Sequence, residues 1–146
     1  MYRRKLSIMI AEDDLADIHL IQSLLEKSPY LEKIEVVKNG QELMDNLNLV
    51  KDNLSLHPDL ILLDLNMPKK SGRQVLSEMK LDPLFKKIPI IVFTSSDDEK
   101  DILDCYTLHA NSYIRKPIDL NDMSDTLQHI EDYWFKTVSL PTDKMN

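Results

Sequence analysis

The chain has 146 residues, 42% of them hydrophobic and 29% charged, with a net charge of -7. That composition fits one soluble globular domain with a full core, and no apolar run approaches the roughly 18 residues of a membrane span. The acidic balance argues against nucleic acid as the main partner, since binding phosphates needs a positive surface, and the single cysteine, Cys105, excludes an internal disulfide and favours a reducing cytoplasm.

Taken in order, Met1-Tyr2-Arg3-Arg4-Lys5 is not a signal peptide, because the apolar stretch after it is too short, and Arg3-Arg4-Lys5 reads as a solvated start. Leu6-Ser7-Ile8-Met9-Ile10-Ala11 is a predicted first strand, ending on Glu12-Asp13-Asp14. Asp14, with Asp17 three residues on, has the form of a helix cap, and Ile18, Ile21, Leu24 and Leu25 form that helix's buried stripe up to Ser28-Pro29. Ile34 to Val37 is a short second strand, and Asn39-Gly40-Gln41-Glu42 is a turn and capping box opening a helix with Leu43, Leu47 and Val50 on one side. His57-Pro58 breaks that helix before Asp59-Leu60-Ile61-Leu62-Leu63-Asp64, a run apolar enough to be buried on both faces, as in a parallel sheet.

Ser71-Gly72-Arg73-Gln74 is a second capping box, leading a helix whose apolar side is Val75, Leu76 and Met79 and which Asp82-Pro83 stops. Ile88 to Thr94 is a fourth strand, again almost wholly apolar. Ser96-Asp97-Asp98-Glu99 caps a fourth helix with Ile102, Leu103 and Tyr106 inside it. Ser112 to Arg115 is a fifth strand, followed by Lys116-Pro117 and a last helix from Asp119, with Met123, Leu127, Ile130 and Trp134 on one stripe. Strand and helix repeated in this way imply a doubly wound parallel sheet with helices on both faces and right-handed crossovers. One domain is expected over 1–146, with its core at about 5–135 and a short polar tail at 136–146.

In such a sheet all strands deliver their carboxyl ends to one edge, where ligands bind. The first strand brings Glu12 and Asp13 there, the third Asp64, the fourth Thr94 and the fifth Lys116. Three carboxylates at one edge repel unless a cation sits among them, and hard oxygen donors suit magnesium. Lys116 adds a fixed positive charge and Thr94 a hydroxyl donor. These are the parts phosphoryl transfer uses, with Asp64 as the nucleophile that becomes an acyl phosphate. The modification replaces one negative charge by about two, and Thr94 and Lys116 can follow the new oxygens as the start of a switch.

These residues resemble the receiver domains of two-component response regulators. The resemblance covers about residues 5 to 135 and rests on Glu12-Asp13, Asp64 with Met67-Pro68, Gly72, Thr94 with the small Ser95 after it, and Tyr113 with Lys116-Pro117. It implies a flavodoxin-like (CheY-like) five-stranded sheet of order 2-1-3-4-5 with five helices. It also implies a phosphorelay role, with Asp64 phosphorylated by a sensor histidine kinase. Asp13 and the backbone carbonyl of Asn66 would ligate Mg2+ directly, Glu12 mainly through water. Tyr113 would change rotamer as Thr94 shifts, and Lys116-Pro117 would be a cis peptide. A narrower set looks like the single-domain regulators that partner bacterial phytochrome kinases. It comprises Pro68-Lys69-Lys70-Ser71-Gly72-Arg73, Tyr106-Thr107-Leu108-His109, the loop around Asp82-Pro83-Leu84-Phe85, and Tyr133 to Pro141. That subgroup implies a homodimer through the fourth helix, fifth strand, fifth helix and tail.

Two other functions compete. A phosphatase of the haloacid dehalogenase type also uses a strand-end Asp and magnesium, but it needs a second Asp two residues on as general acid. Asn66 stands there and cannot donate a proton as an acid, so the chain is expected to be a phosphoacceptor and not an enzyme acting on added substrate. A nucleotide-binding domain of similar topology is disfavoured by a glycine count of 2 and by the lack of a Gly-rich phosphate loop. The four histidines, His19, His57, His109 and His129, have no ligand spacing and read as structural; Cys105 reads as a small core or interface residue. Tyr133 and Phe135 fall off the buried stripe, so exposed aromatics are expected there, marking a dimer or partner surface.

Overall fold

The computed structural model describes residues 4–141. Met1, Tyr2 and Arg3 of the N-terminal stretch and 142–146 of the polar tail lie outside the described residues. Five strands, β1 (Leu6–Ala11), β2 (Leu31–Val37), β3 (Leu60–Leu63), β4 (Ile90–Thr94) and β5 (Ser112–Arg115), alternate with five helices. The helices are α1 (Leu15–Leu25), α2 (Gly40–Leu49), α3 (Gly72–Leu81), α4 (Glu99–Thr107) and α5 (Leu120–Ile130). The sheet is parallel throughout and its order is β2-β1-β3-β4-β5, as expected.

Strand alternation divides the core into two layers. Met9, Ala11, Ile61, Leu63, Ile90 and Val92 face one way and meet Leu43 and Leu47 of α2, Val75, Leu76 and Met79 of α3, and Cys105 of α4. Ile8, Ile10, Leu60, Leu62, Ile91 and Phe93 face the other way, onto Ile21 and Leu25 of α1 and Met123, Leu127 and Ile130 of α5. The central strands are covered on both faces, which is why their sequences are apolar at every position and not at every second one.

Most helix starts follow the sequence. Asp14 accepts from the Asp17 N–H at 3.0 Å, and Ser71 and Gln74 form a reciprocal capping box. Asn39 accepts from Glu42 N at 2.8 Å, but the Glu42 carboxylate turns to Lys38 N, so the second half of that expected box falls one residue earlier. The fourth helix starts at Asp98 and not at Ser96, the Asp98 side chain accepting from Lys100 N at 2.8 Å.

Several expectations need correction. Phe135 is buried completely, while Tyr133 is 54% exposed and Trp134 only half-buried. Glu131–Thr137 is a π-helical turn, seen in the Val138 N–H bonded back to the Tyr133 carbonyl at 2.9 Å. An i to i+5 step places Phe135, not Trp134, one turn beyond Ile130. On α4 the inward residue is Cys105; Leu103 and Tyr106 are 66% and 48% exposed. Arg4 is not a free, solvated charge, since its guanidinium holds Asp59 by two bonds of 2.7 and 3.0 Å. The Lys116–Pro117 peptide is trans, the isomer a prolyl bond favours by about 0.5–1 kcal/mol. His57 is structural as expected, with its Nε2 against the Val50 and Lys51 carbonyl oxygens at 3.0 Å.

Candidate functional site

The site forms where the strand order reverses. Asp64 N–H donates to the Ala11 carbonyl at 3.0 Å, so β1 and β3 end level with one another and Glu12, Asp13 and Asp64 leave the sheet together. Each of these three offers a carboxylate oxygen, and those oxygens lie within 4.8 Å of one another. Thr94 ends β4, and the Lys116 N–H donates to its carbonyl at 2.7 Å, which sets Lys116 beside it. The five residues expected at this edge therefore do meet there.

Asp64 is held from three sides. The Thr94 hydroxyl and the Asn66 N–H donate to its Oδ1 at 2.8 and 3.1 Å, and Lys116 Nζ donates to its Oδ2 at 3.2 Å. Lys116 also donates to Glu12 Oε1 and, at 2.9 Å, to Asp17 Oδ2. Asp64, Thr94, Glu12 and Lys116 are buried, whereas Asp13 is exposed. Burial pushes the Glu12 carboxyl up to about 7; the Lys116 hydrogen bond pulls it back and the Asp64 charge adds to the rise. Burial also draws Lys116 down, but its bonds to Glu12 and Asp17 and the charge on Asp64 outweigh this and hold it above its ordinary value. The lysine is thus a permanent cation among more carboxylates than it can neutralise.

That surplus decides what the pocket can hold. Even with the proton retained on Glu12, the Asp13, Asp17 and Asp64 side chains outnumber the one lysine. A donor set of hard oxygens with a net deficit of positive charge fits a divalent cation of the magnesium or manganese type.

The loop after Asp64 is fixed by two close approaches. The Gly72 N–H donates to the Leu65 carbonyl at 3.1 Å, and a Cβ at Gly72 would overlap the Asp64 carbonyl oxygen. Gly40 N–H donates to the Lys70 carbonyl at 3.0 Å, and a Cβ at Gly40 would overlap that oxygen too. Between these anchors Lys69 takes a positive φ of 64°. Tyr113, half-buried on β5, donates its hydroxyl to the Ser96 carbonyl at 2.7 Å, just beyond Thr94.

Asp17 was legible only as a helix-start residue. Its reach to Lys116 could have been found by noting that it sits on the first turn of α1, directly after the acidic strand end. Arg73 was legible as part of the α3 capping box and of a family resemblance, and its ion pairs across to α4 had no local signal.

This fold and pocket define a class. The family model for the response regulator receiver domain matches residues 8–128, and the chain belongs to that family. It is 41% identical to the response regulator Rcp1 of Synechocystis sp. over 135 residues, 92% of each chain. The crystal structure of the Mn(2+)-bound form of Rcp1 superposes with a TM-score of 0.86 at 39% identity, over 93% of this chain and 99% of that one. The phosphorylated cyanobacterial phytochrome response regulator RcpA gives 0.87 at 42% identity, over 94% and 99%. The competing reading as a haloacid dehalogenase-type phosphatase finds no support among these similarities.

Proposed function

We propose that Asp64 is the phosphoacceptor, and that a sensor histidine kinase is the donor. The observation that carries this is the set of bonds on one buried carboxylate: Thr94 and Asn66 on one oxygen and Lys116 on the other, with Glu12 and Asp13 alongside. An Asp64 oxygen attacks the phosphorus of the kinase phosphohistidine; the new P–O bond forms as the P–N bond breaks, and the imidazole leaves with the electron pair. Lys116 and the Thr94 hydroxyl bind the phosphoryl oxygens as charge builds on them. Glu12, Asp13, Asp64 and the Asn66 carbonyl would hold Mg2+, which supplies further neutralisation of that charge. The Mn(2+)-bound state of Rcp1 and the phosphorylated state of RcpA support the reading.

The chain so read is a signalling switch in the cytoplasm and not a turnover enzyme, with a bacterial phytochrome as its kinase. Tyr113 follows Thr94, since its hydroxyl bonds the carbonyl of Ser96, two residues past Thr94. A second copy of the chain covers the α4–β5–α5 face, where Leu103, Tyr106 and Tyr133 are exposed. Acetyl phosphate with Mg2+ should label wild type once per chain and leave Asp64→Asn unlabelled. Labelling of Asp64→Asn at full stoichiometry would remove Asp64 from the role. Phosphotransfer profiling against histidine kinases, a phytochrome kinase included, identifies the donor; transfer only from other kinases would end the phytochrome assignment.

A further inference from the structure

Lys116 reaches the pocket on a long, flexible side chain, and such a chain keeps one direction only where its head is held. The ammonium has three N–H donors. Three carboxylates accept from them: Glu12 Oε1, Asp17 Oδ2 at 2.9 Å and Asp64 Oδ2 at 3.2 Å. These acceptors differ in kind. Glu12 and Asp64 belong, with Asp13, to the cluster whose oxygens suit a divalent cation, and Asp17 does not. A cation or a phosphoryl group in the pocket makes its bonds with that cluster. Asp17 is therefore the acceptor that occupancy of the pocket leaves to Lys116.

Asp17 is also carried on a fixed support. It lies in the first turn of α1, where its N–H donates to the Asp14 side chain at 3.0 Å. The next residue, Ile18, is buried, and its N–H donates to the Asp14 carbonyl at 2.9 Å. Ile21 and Leu25 of the same helix pack in the core. The bond thus joins Lys116, just past the end of β5, to a helix start that belongs to neither β3 nor β4. The Lys116 end of it is 7% exposed and the Asp17 end 30%, so solvent reaches it from one side.

We propose that Asp17 is a positioning residue for the phosphoryl group: it holds the Lys116 ammonium toward Asp64 from outside the carboxylate cluster, so that the third N–H meets an oxygen of Asp64 or of a group attached to it. The inference rests on Asp64 being the phosphoacceptor. No movement of a loop is involved, because the oxygen exchanged at that N–H lies on Asp64 or on what Asp64 carries. The sign of the effect separates this role from charge alone. A carboxylate repels a nearby anion, so charge alone makes neutralising Asp17 strengthen phosphoryl binding. Loss of the anchor makes it weaken.

The test is a titration of the full chain with beryllofluoride, a phosphoryl mimic, at saturating Mg2+, followed by fluorine NMR of the bound adduct. Asp17→Asn should lower the apparent affinity about three- to tenfold, a loss already reduced for the exposure of Asp17. Asp14→Asn is the control. It removes the same charge three residues away and keeps the α1 cap, since asparagine caps as well as aspartate, and it should leave the affinity unchanged or raise it. A merely structural role for Asp17 would lower stability in urea unfolding and leave adduct affinity at the wild-type value. Should Asp17→Asn fail to fold, Asp17→Ser carries the same expectation. Unchanged or tighter adduct binding in the folded Asp17 variant, or an equal loss in Asp14→Asn, overturns the inference where wild type binds normally. Failure of wild type to form an adduct that Asp64→Asn abolishes would overturn the phosphoacceptor reading itself, and this inference with it.

Discussion

Lys116 is the residue on which the pocket's electrostatics turn. Its side chain is 7% exposed and touches Glu12, Asp17 and Asp64 at once. Removing one partner from a buried charge cluster leaves the others uncompensated, at a cost of about 3–5 kcal/mol. Lys116→Met should therefore lower stability by about 3 kcal/mol in metal-free urea titrations, and millimolar Mg2+ should recover part of the loss, because a cation bound only to the folded chain stabilises it by mass action. Equal stability of wild type and variant without metal would mean that Lys116 does not neutralise the acids. Asp64, Asp13 and Lys116 were readable from the sequence because each ends an obvious strand. Asp17 and Arg73 were not, because their importance comes from neighbours more than 25 residues away in the chain.

At the scale of elements, periodicity was a good guide wherever the period held. All five strands and all five helices were anticipated, and the α3 capping box was read residue for residue. The failures have local causes. The π-helical turn shifts the inward position from Trp134 to Phe135, and α4 carries apolar residues on its outer side, so a stripe rule misassigns Leu103 and Tyr106. Phe135→Ala should accordingly behave as a core truncation, costing about 3–5 kcal/mol in urea unfolding; a loss below about 1 kcal/mol would contradict its place in the core. Gly40 gives a sharper test because two effects oppose each other there. Alanine at this first helical position should gain less than the roughly 0.8–1.0 kcal/mol of a helix interior, and Gly40 does not have a positive φ that would forbid it. Its Cβ would nevertheless meet the Lys70 carbonyl, which belongs to the loop carrying Asn66. Contact with a backbone atom cannot be relieved by a rotamer change, so Gly40→Ala should lower both stability and divalent metal affinity. Calorimetric metal titration at wild-type affinity would show that the loop yields without disturbing the site.

The molecule as a whole presents its exposed apolar side chains unevenly. Leu103 and Tyr106 on α4 and Tyr133 beyond α5 flank β5, an edge strand whose outer side has no strand neighbour among the described residues. Leu49 and Leu81, 84% and 81% exposed, end α2 and α3 on the other layer. Isolated exposed leucines are ordinary on a folded surface, whereas aromatics gathered beside an open strand edge are enriched where chains associate. A stable interface needs roughly 1,200–2,000 Å² in total, so a dimer there would have to use α4, β5 and α5 together and not the two tyrosines and the leucine alone. If a second copy binds there, Leu103→Glu with Tyr133→Ser should shift sedimentation toward monomer, both with and without beryllofluoride. Leu49→Ser with Leu81→Ser should not, although it removes two more exposed leucines from the other side. A shift produced by the second pair and not the first would transfer the interface to the α2–α3 side. If Asp64 is the phosphoacceptor, a dimer built on α4 would feel its state through the β4–α4 loop, where Ser96 is bonded to Asp101, and one built on the ends of α2 and α3 would not.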